Sequence, residues 1–140
     1  KVTKFKEFSL LTPNEKEARI ALQDNESGLE AISMKLLATT KSDNLIMKLG
    51  PEGLIAYEKK SQKEIKRQSF PALSVNPVDV SGAGDALLAI VATSLCSNSN
   101  LMTAVALGSC MSAIAVENMG NRPIDGNSLS KFINHIFNFD

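Results

Sequence analysis

Tryptophan is absent from this sequence, tyrosine and histidine occur once each, and cysteine occurs only twice, at Cys96 and Cys110. Neither cysteine has a CxxC or CxxH companion, which removes a thiolate metal site and a redox pair. With no apolar, cleavable leader ahead of them, they indicate a reduced, cytoplasmic protein. The lone histidine, His135, lies in an amphipathic C-terminal stretch and reads as a surface or rim residue, so a Ser-His-Asp triad finds no support. Excess charge of one sign is missing too: 15 Lys plus Arg balance 15 Asp plus Glu. Without a basic excess there is no footprint for a phosphate backbone, and nucleic acid is excluded as a partner. Long apolar runs are also lacking. The longest, Ala86 to Leu95, is about half of what a bilayer span requires, which excludes membrane insertion.

What is present suits one ordinary core: 140 residues with 44% hydrophobic content predict a single compact domain. The chain opens with Lys1-Val2-Thr3 and enters its first patterned segment almost at once, which suggests a portion of something longer. Glu7 to Leu11 reads as a short strand. "TPNEKEARIAL" reads as a helix, with Pro13 in its first turn and Ile20 and Leu22 further on. From Ser27 to Thr39 the residues Leu29, Ile32, Leu36 and Leu37 recur at helical spacing behind Ser27 as N-cap. Asn44 to Leu49 reads as a buried strand ended by Gly50-Pro51-Glu52-Gly53, and Leu54 to Tyr57 with Ile65 to Phe70 as a hairpin. The charged run "EKKSQKEIKR" mixes both signs and is a solvated hairpin tip.

Pro71 and Pro77 argue against a central strand over "PALSVNPVDV", and the chain then turns helical to its end. Ala86 to Leu95, Leu101 to Met119 and Ser128 to Phe137 are the predicted helices, the first two apolar or small nearly all round and therefore buried. Strand and helix alternate before a helical tail, which predicts an α/β layer structure without internal repeats.

The chemistry concentrates in "DVSGAGD". A helix start leaves backbone N–H groups unpaired at a positive dipole end, and glycine lets an anion come close. Gly82-Ala83-Gly84 therefore suits phosphate oxygens. Other nucleotide and nucleophile motifs do not fit: GxxxxGK[ST] is absent, the third glycine of GxGxxG falls at Leu87, and Asp79 stands where GxSxG needs glycine. A carboxylate directly beside bound phosphate is repelled by it, yet is useful if it faces an incoming hydroxyl and accepts its proton. Asp85 fits that role. The plainer alternative, equally open on chemistry alone, is that Ser81 caps the helix and Asp85 complements its dipole.

"DVSGAGD" resembles the C-terminal signature of the ribokinase-like (PfkB) carbohydrate kinases, which commonly have threonines at the positions of Val80 and Ser81. "TPNEKEA" is similar to the N-x-x-E segment of that family, "KLGPEG" to its T-L-G-x-x-G strand end, and "AIAVENMGNRP" to the segment closing its nucleotide and monovalent-cation sites. Four motifs stand in the family's order over nearly the whole chain. The resemblance implies a ribokinase-like three-layer α/β fold, of which residues 1–140 are the C-terminal, nucleotide-binding part without the sugar-binding part and lid. It implies an ATP-dependent carbohydrate kinase with Mg2+ and K+ as cofactors, acting on a sugar or sugar phosphate, and inactive as an isolated portion. The wording "LTPNEKEA" and "SGAGDALLA" is similar to heptose-phosphate-kinase-like members.

By the same resemblance Asp85 is the base, and the amides of Gly82, Ala83 and Gly84 form the anion hole. Asn14 and Glu17 organise Mg2+ and its waters, although as residues alone they read sooner as a cap and a solvated carboxylate. Lys48, Leu49, Gly50, Gly53 and Gly108 lie along the nucleotide. Asp79, Ser81, Ala115 and Gly120 surround the monovalent cation. Three positions depart from the pattern: Lys48 replaces a small hydroxyl residue, Gly108 an asparagine beside the adenine, and Ile124 a small polar residue near the cation. These departures keep a non-catalytic nucleotide-binding or regulatory module in view as the alternative. Apolar surface left by an absent N-terminal half predicts self-association into a homo-oligomer.

Overall fold

In the computed structural model, which describes residues 1–61, 64–74, 78–117 and 123–137, the chain divides into two units, Lys1–Pro71 and Ala72–Asp140. The first is organised by three antiparallel strands in the order β1 (Asn44–Lys48), β2 (Leu54–Lys59), β3 (Ile65–Phe70). Side chains alternate between the faces of a strand, so the register pairs Leu45 with Tyr57 and Met47 with Ile55 on one face. There they join Ala18 of α1 (Glu15–Leu22), Ile32, Leu36 and Leu37 of α2 (Leu29–Thr40), and Leu11 in one apolar core. Ile46 and its partner Ala56, on the opposite face, are also fully buried, which is why β1 reads as a continuous apolar run.

The other edge of β1 is paired in parallel by residues 11–14. Leu11 N–H donates to Asn44 O at 3.1 Å, Ile46 N–H to Leu11 O at 2.8 Å, and Lys48 N–H to Pro13 O at 2.9 Å. The strand expected at Glu7–Leu11 is thus displaced: of those residues Leu11 alone pairs, and Glu7 sits at φ 58°, outside extended geometry. Pro13 is buried ahead of the Asn14 N-cap and not in the first helical turn, because its carbonyl is committed to Lys48. Helix α2 starts after Gly28, not Ser27. The Ser27 hydroxyl instead donates to Asp24 Oδ2 at 2.9 Å, and Asp24 Oδ1 accepts the Ser27 N–H at 3.0 Å. The β1–β2 turn holds Gly50 at φ 61° and Gly53 at φ 90°, conformations that favour glycine, and the Leu49 N–H closes it on Gly53 O at 2.8 Å. The hairpin stands where expected, with Gln62 and Lys63 of its tip outside the described residues.

The second unit is helical: α3 (Ala83–Cys96), α4 (Leu101–Val116) and α5 (Gly126–Phe137). All-round burial holds for α4, with ten buried residues, but not for α3, which buries only Leu87 and Val91 and leaves Leu88 41% exposed. One face of α3 packs on α4, and alanines on the other are tolerated in water. Met119, the expected end of α4, lies outside the described residues. Helix α5 begins two residues earlier than expected, where Asp125 Oδ1 accepts the Ser128 N–H at 2.7 Å. Among the described residues no helix is long and apolar enough to cross a membrane.

Candidate functional site

The start of α3 is set by its backbone and not by a side-chain cap. Gly82 is the N-cap at φ 76°, ψ −8°, with no side-chain cap hydrogen bond, so the expected cap at Ser81 is not formed. A left-handed residue directly before a helix turns successive N–H groups outward, a conformation glycine adopts without penalty. Ala86 N–H is the first to close a helical bond, to Gly82 O at 2.8 Å, while Ala83 N–H reaches Val80 O only at 3.4 Å. The amides of Gly84 and Asp85 belong to the first turn, where no intrahelical acceptor exists. Asp85 is exposed in that same turn.

Helix α4 holds this start in place. Ser112 Oγ donates to Ala83 O at 3.2 Å. Gly108 is buried against α3: a Cβ there would stand 2.7 Å from Leu87 Cδ1 and 2.8 Å from Val91 Cγ2. Packing alone therefore accounts for glycine at 108. Before the cradle, Val78 N–H and Asp79 N–H both donate to Val116 O, at 2.7 and 3.1 Å, and Asp79 Oδ1 accepts the Ser81 N–H at 2.8 Å. Asp79 and Ser81 are thereby brought beside the end of α4, next to Ala115. Gly120 lies outside the described residues.

In the first unit, Asn14 and Glu17 form a reciprocal capping box: Asn14 Oδ1 accepts the Glu17 N–H and Glu17 Oε2 accepts the Asn14 N–H, each at 2.8 Å. The cap alternative for Asn14 is realised, and the Glu17 carboxylate is oriented by it. Asn14, Lys48, Leu49 and Gly50 line one open depression of about 570 Å³, together with Glu15, Lys16, Arg19 and Asn25. Gly53 touches it indirectly, through its bond to Leu49. Nothing in the sequence pattern singles out Lys16 or Asn25. The only signal for Arg19 is its i,i+4 spacing from Glu15, and the two meet at 2.7 Å. Among the described residues no group of three His, Cys, Asp or Glu side chains gathers to enclose a metal ion.

A model of the pfkB family carbohydrate kinases matches residues 5–125. The bifunctional protein HldE of Desulfatibacillum aliphaticivorans is 31% identical over 127 residues, a stretch that covers 88% of this chain and 25% of that protein. The crystal structure of a ribokinase from Thermotoga maritima superposes with a TM-score of 0.77 at 27% identity, over 90% of this chain and 42% of the ribokinase. Phosphofructokinase-2 from Escherichia coli, in complex with potassium, superposes at 0.80 with 18% identity, over 96% of this chain and 43% of that one, and shows the fold alone. The chain thus spans a quarter to two fifths of the length of these proteins, and its architecture is ribokinase-like α/β.

Proposed function

Because the chain belongs to the pfkB family of carbohydrate kinases, we propose that it carries the nucleotide-binding and proton-accepting part of an enzyme that transfers the terminal phosphoryl group of ATP to a hydroxyl of a sugar or sugar phosphate. The observation that carries this is the open start of α3: a left-handed Gly82 without a side-chain cap, followed by an exposed Asp85 in the first turn. A helix stabilised only by a dipole-complementing acid needs no left-handed glycine before it, whereas an anion cradle gains from one.

In this reading the Asp85 carboxylate accepts the proton of the acceptor hydroxyl as its oxygen attacks the terminal phosphorus and the bond from that phosphorus to its bridging oxygen breaks, releasing ADP. The amides of Gly82, Ala83 and Gly84 meet the charge on the phosphoryl oxygens, with Ala83 giving up its long 3.4 Å bond to Val80 O while α4 holds the turn. Lys48, Leu49, Gly50 and Gly53 contact the nucleotide. Mg2+, when bound, neutralises charge on the phosphate chain. Asn14 and Glu17 would help hold the ion and its waters near that chain, the Glu17 carboxylate being oriented by the bond it accepts from the Asn14 N–H. Asp79, Ser81 and Ala115 would serve K+ by holding backbone oxygens near one another.

Calorimetric titration with Mg-ATP of the wild-type chain and of the Asp85→Asn and Gly82→Val variants tests the assignment. Binding by the wild type and Asp85→Asn, with loss in Gly82→Val, is the expected result. In the longer protein, Asp85→Asn should then lower turnover by a factor of about 10²–10⁴ while nucleotide affinity stays, in a screen of sugars and heptose phosphates. Equal turnover by Asp85→Asn would remove the proton-accepting role and favour a binding module.

A further inference from the structure

The depression beside α1 has an unbalanced charge. Its lining includes three cationic side chains, Lys16, Arg19 and Lys48, against one carboxylate, Glu15. Glu15 is spent on Arg19: Oε1 accepts from Arg19 Nε at 2.8 Å and meets Nη2 at 2.7 Å. Arg19 Nη1 is further anchored to Ser27 O at 2.9 Å. Glu17, the other acid of the first turn, accepts from the Asn14 amide and does not line the depression. Lys48 is different. Its backbone is pinned from both sides, by Pro13 O at 2.9 Å and by the register pair with Leu54, and its side chain is half-buried at the mouth of the strand. Among the described residues its ammonium has no hydrogen-bond acceptor and no carboxylate partner. An ammonium without a partner among the described residues, carried by a fixed backbone into a concave, net-positive wall, suits an anion of several charges, and a lysine acts there as a point charge without geometric demand.

We infer that Lys48 is a specificity-determining residue that reads the charge of a polyphosphate chain, so that this depression binds a linear polyphosphate even without Mg2+ and ranks ligands by charge. The inference rests on the proposed nucleotide reading for the identity of the ligand, though not for the existence of the anion site.

Titration of the chain with Mg-free tripolyphosphate, ATP and AMP at two ionic strengths tests it, with Lys48→Met, Lys48→Arg and, as a control outside the depression, Lys66→Met on exposed β3 alongside, each checked for folding by circular dichroism. Lys48→Met should weaken tripolyphosphate and ATP binding by roughly tenfold, the usual loss on removing a charge-assisted bond. It should also flatten the salt dependence. Lys48→Arg should retain most of the affinity, and AMP should bind weakly to every form. Unchanged affinity and salt dependence in a folded Lys48→Met overturns the inference while leaving ATP binding intact. Lys48-dependent binding of tripolyphosphate by the wild type, with no ATP binding by any form, upholds the anion site and removes the nucleotide reading instead. Absence of tripolyphosphate binding by the wild type overturns the inference outright.

Discussion

Asp24 shows how much one carboxylate organises without entering any motif. Its oxygens accept from the Ser27 amide, the Ser27 hydroxyl and Lys35 Nζ, the last at 2.7 Å. The Lys35 hydrogen bond foremost, and then the two from Ser27, hold its carboxyl well below the usual carboxylate range. A carboxyl whose value is depressed by folding contributes stability that is fully present above its unfolded value, near pH ~4, and fades as the pH falls below it. Asp24→Asn should therefore be less stable than wild type at pH 7, and the gap between the two urea midpoints should narrow at pH 3. A gap of equal size at both pH values would assign the effect to shape and not charge. Residue-level chemistry of this kind was only partly legible: the glycine that opens α3 stands out by type and place, whereas Asp24 hides in "QDNESG", where any of several polar residues could have made the turn. Lys48 stood out as a departure from a pattern, but its lack of a partner among the described residues is a three-dimensional fact.

Elements were legible where one signal dominated. Buried strand β1 and the β2–β3 hairpin follow from apolar runs bounded by glycine and charge, and α4 from an apolar stretch with Asn100 before it, whose Oδ1 accepts the Thr103 N–H at 2.9 Å. Boundaries failed where two residues competed for one job. Ser27 lost the cap of α2 to Gly28 because Asp24 had claimed its hydroxyl, and Pro13 was drawn out of α1 by the carbonyl it gives to Lys48. The pairing of α3 with α4 could not be read at all, since Gly108 carries no side chain to betray a contact. Its consequence is testable. Gly108→Ala gains about 1 kcal/mol of helix propensity, yet places a Cβ within 2.7 Å of Leu87 and 2.8 Å of Val91, both buried. Overpacking typically costs about 1–3 kcal/mol and should win, because the branched Val91 is stiff. Urea denaturation should show a net loss of about 1 kcal/mol, recovered in part by Val91→Ala in the same chain. A stabilised Gly108→Ala would mean that α3 yields.

At the scale of the molecule, composition excluded more than it identified, and family membership came from the order of four short motifs rather than from any one of them. The division into Lys1–Pro71 and Ala72–Asp140 was not legible, because no linker composition marks residue 71. Balanced charge has a colloidal consequence of its own. With zero formal net charge at pH 7 and with Val78, Val80 and Phe137 each more than half exposed, little repulsion keeps copies apart near neutrality. Light scattering at fixed concentration should be greatest near pH 7 and fall at pH 9, where the chain is anionic; a flat profile would place the cause of any self-association in packing alone. The contact at Gly108 reaches further than stability. Every first mutational step from glycine adds a Cβ, so position 108 has no neutral neighbour while Leu87 and Val91 keep their size. Drift there has to be preceded by a smaller residue on α3, so the histories of the two helices are bound to be written in pairs.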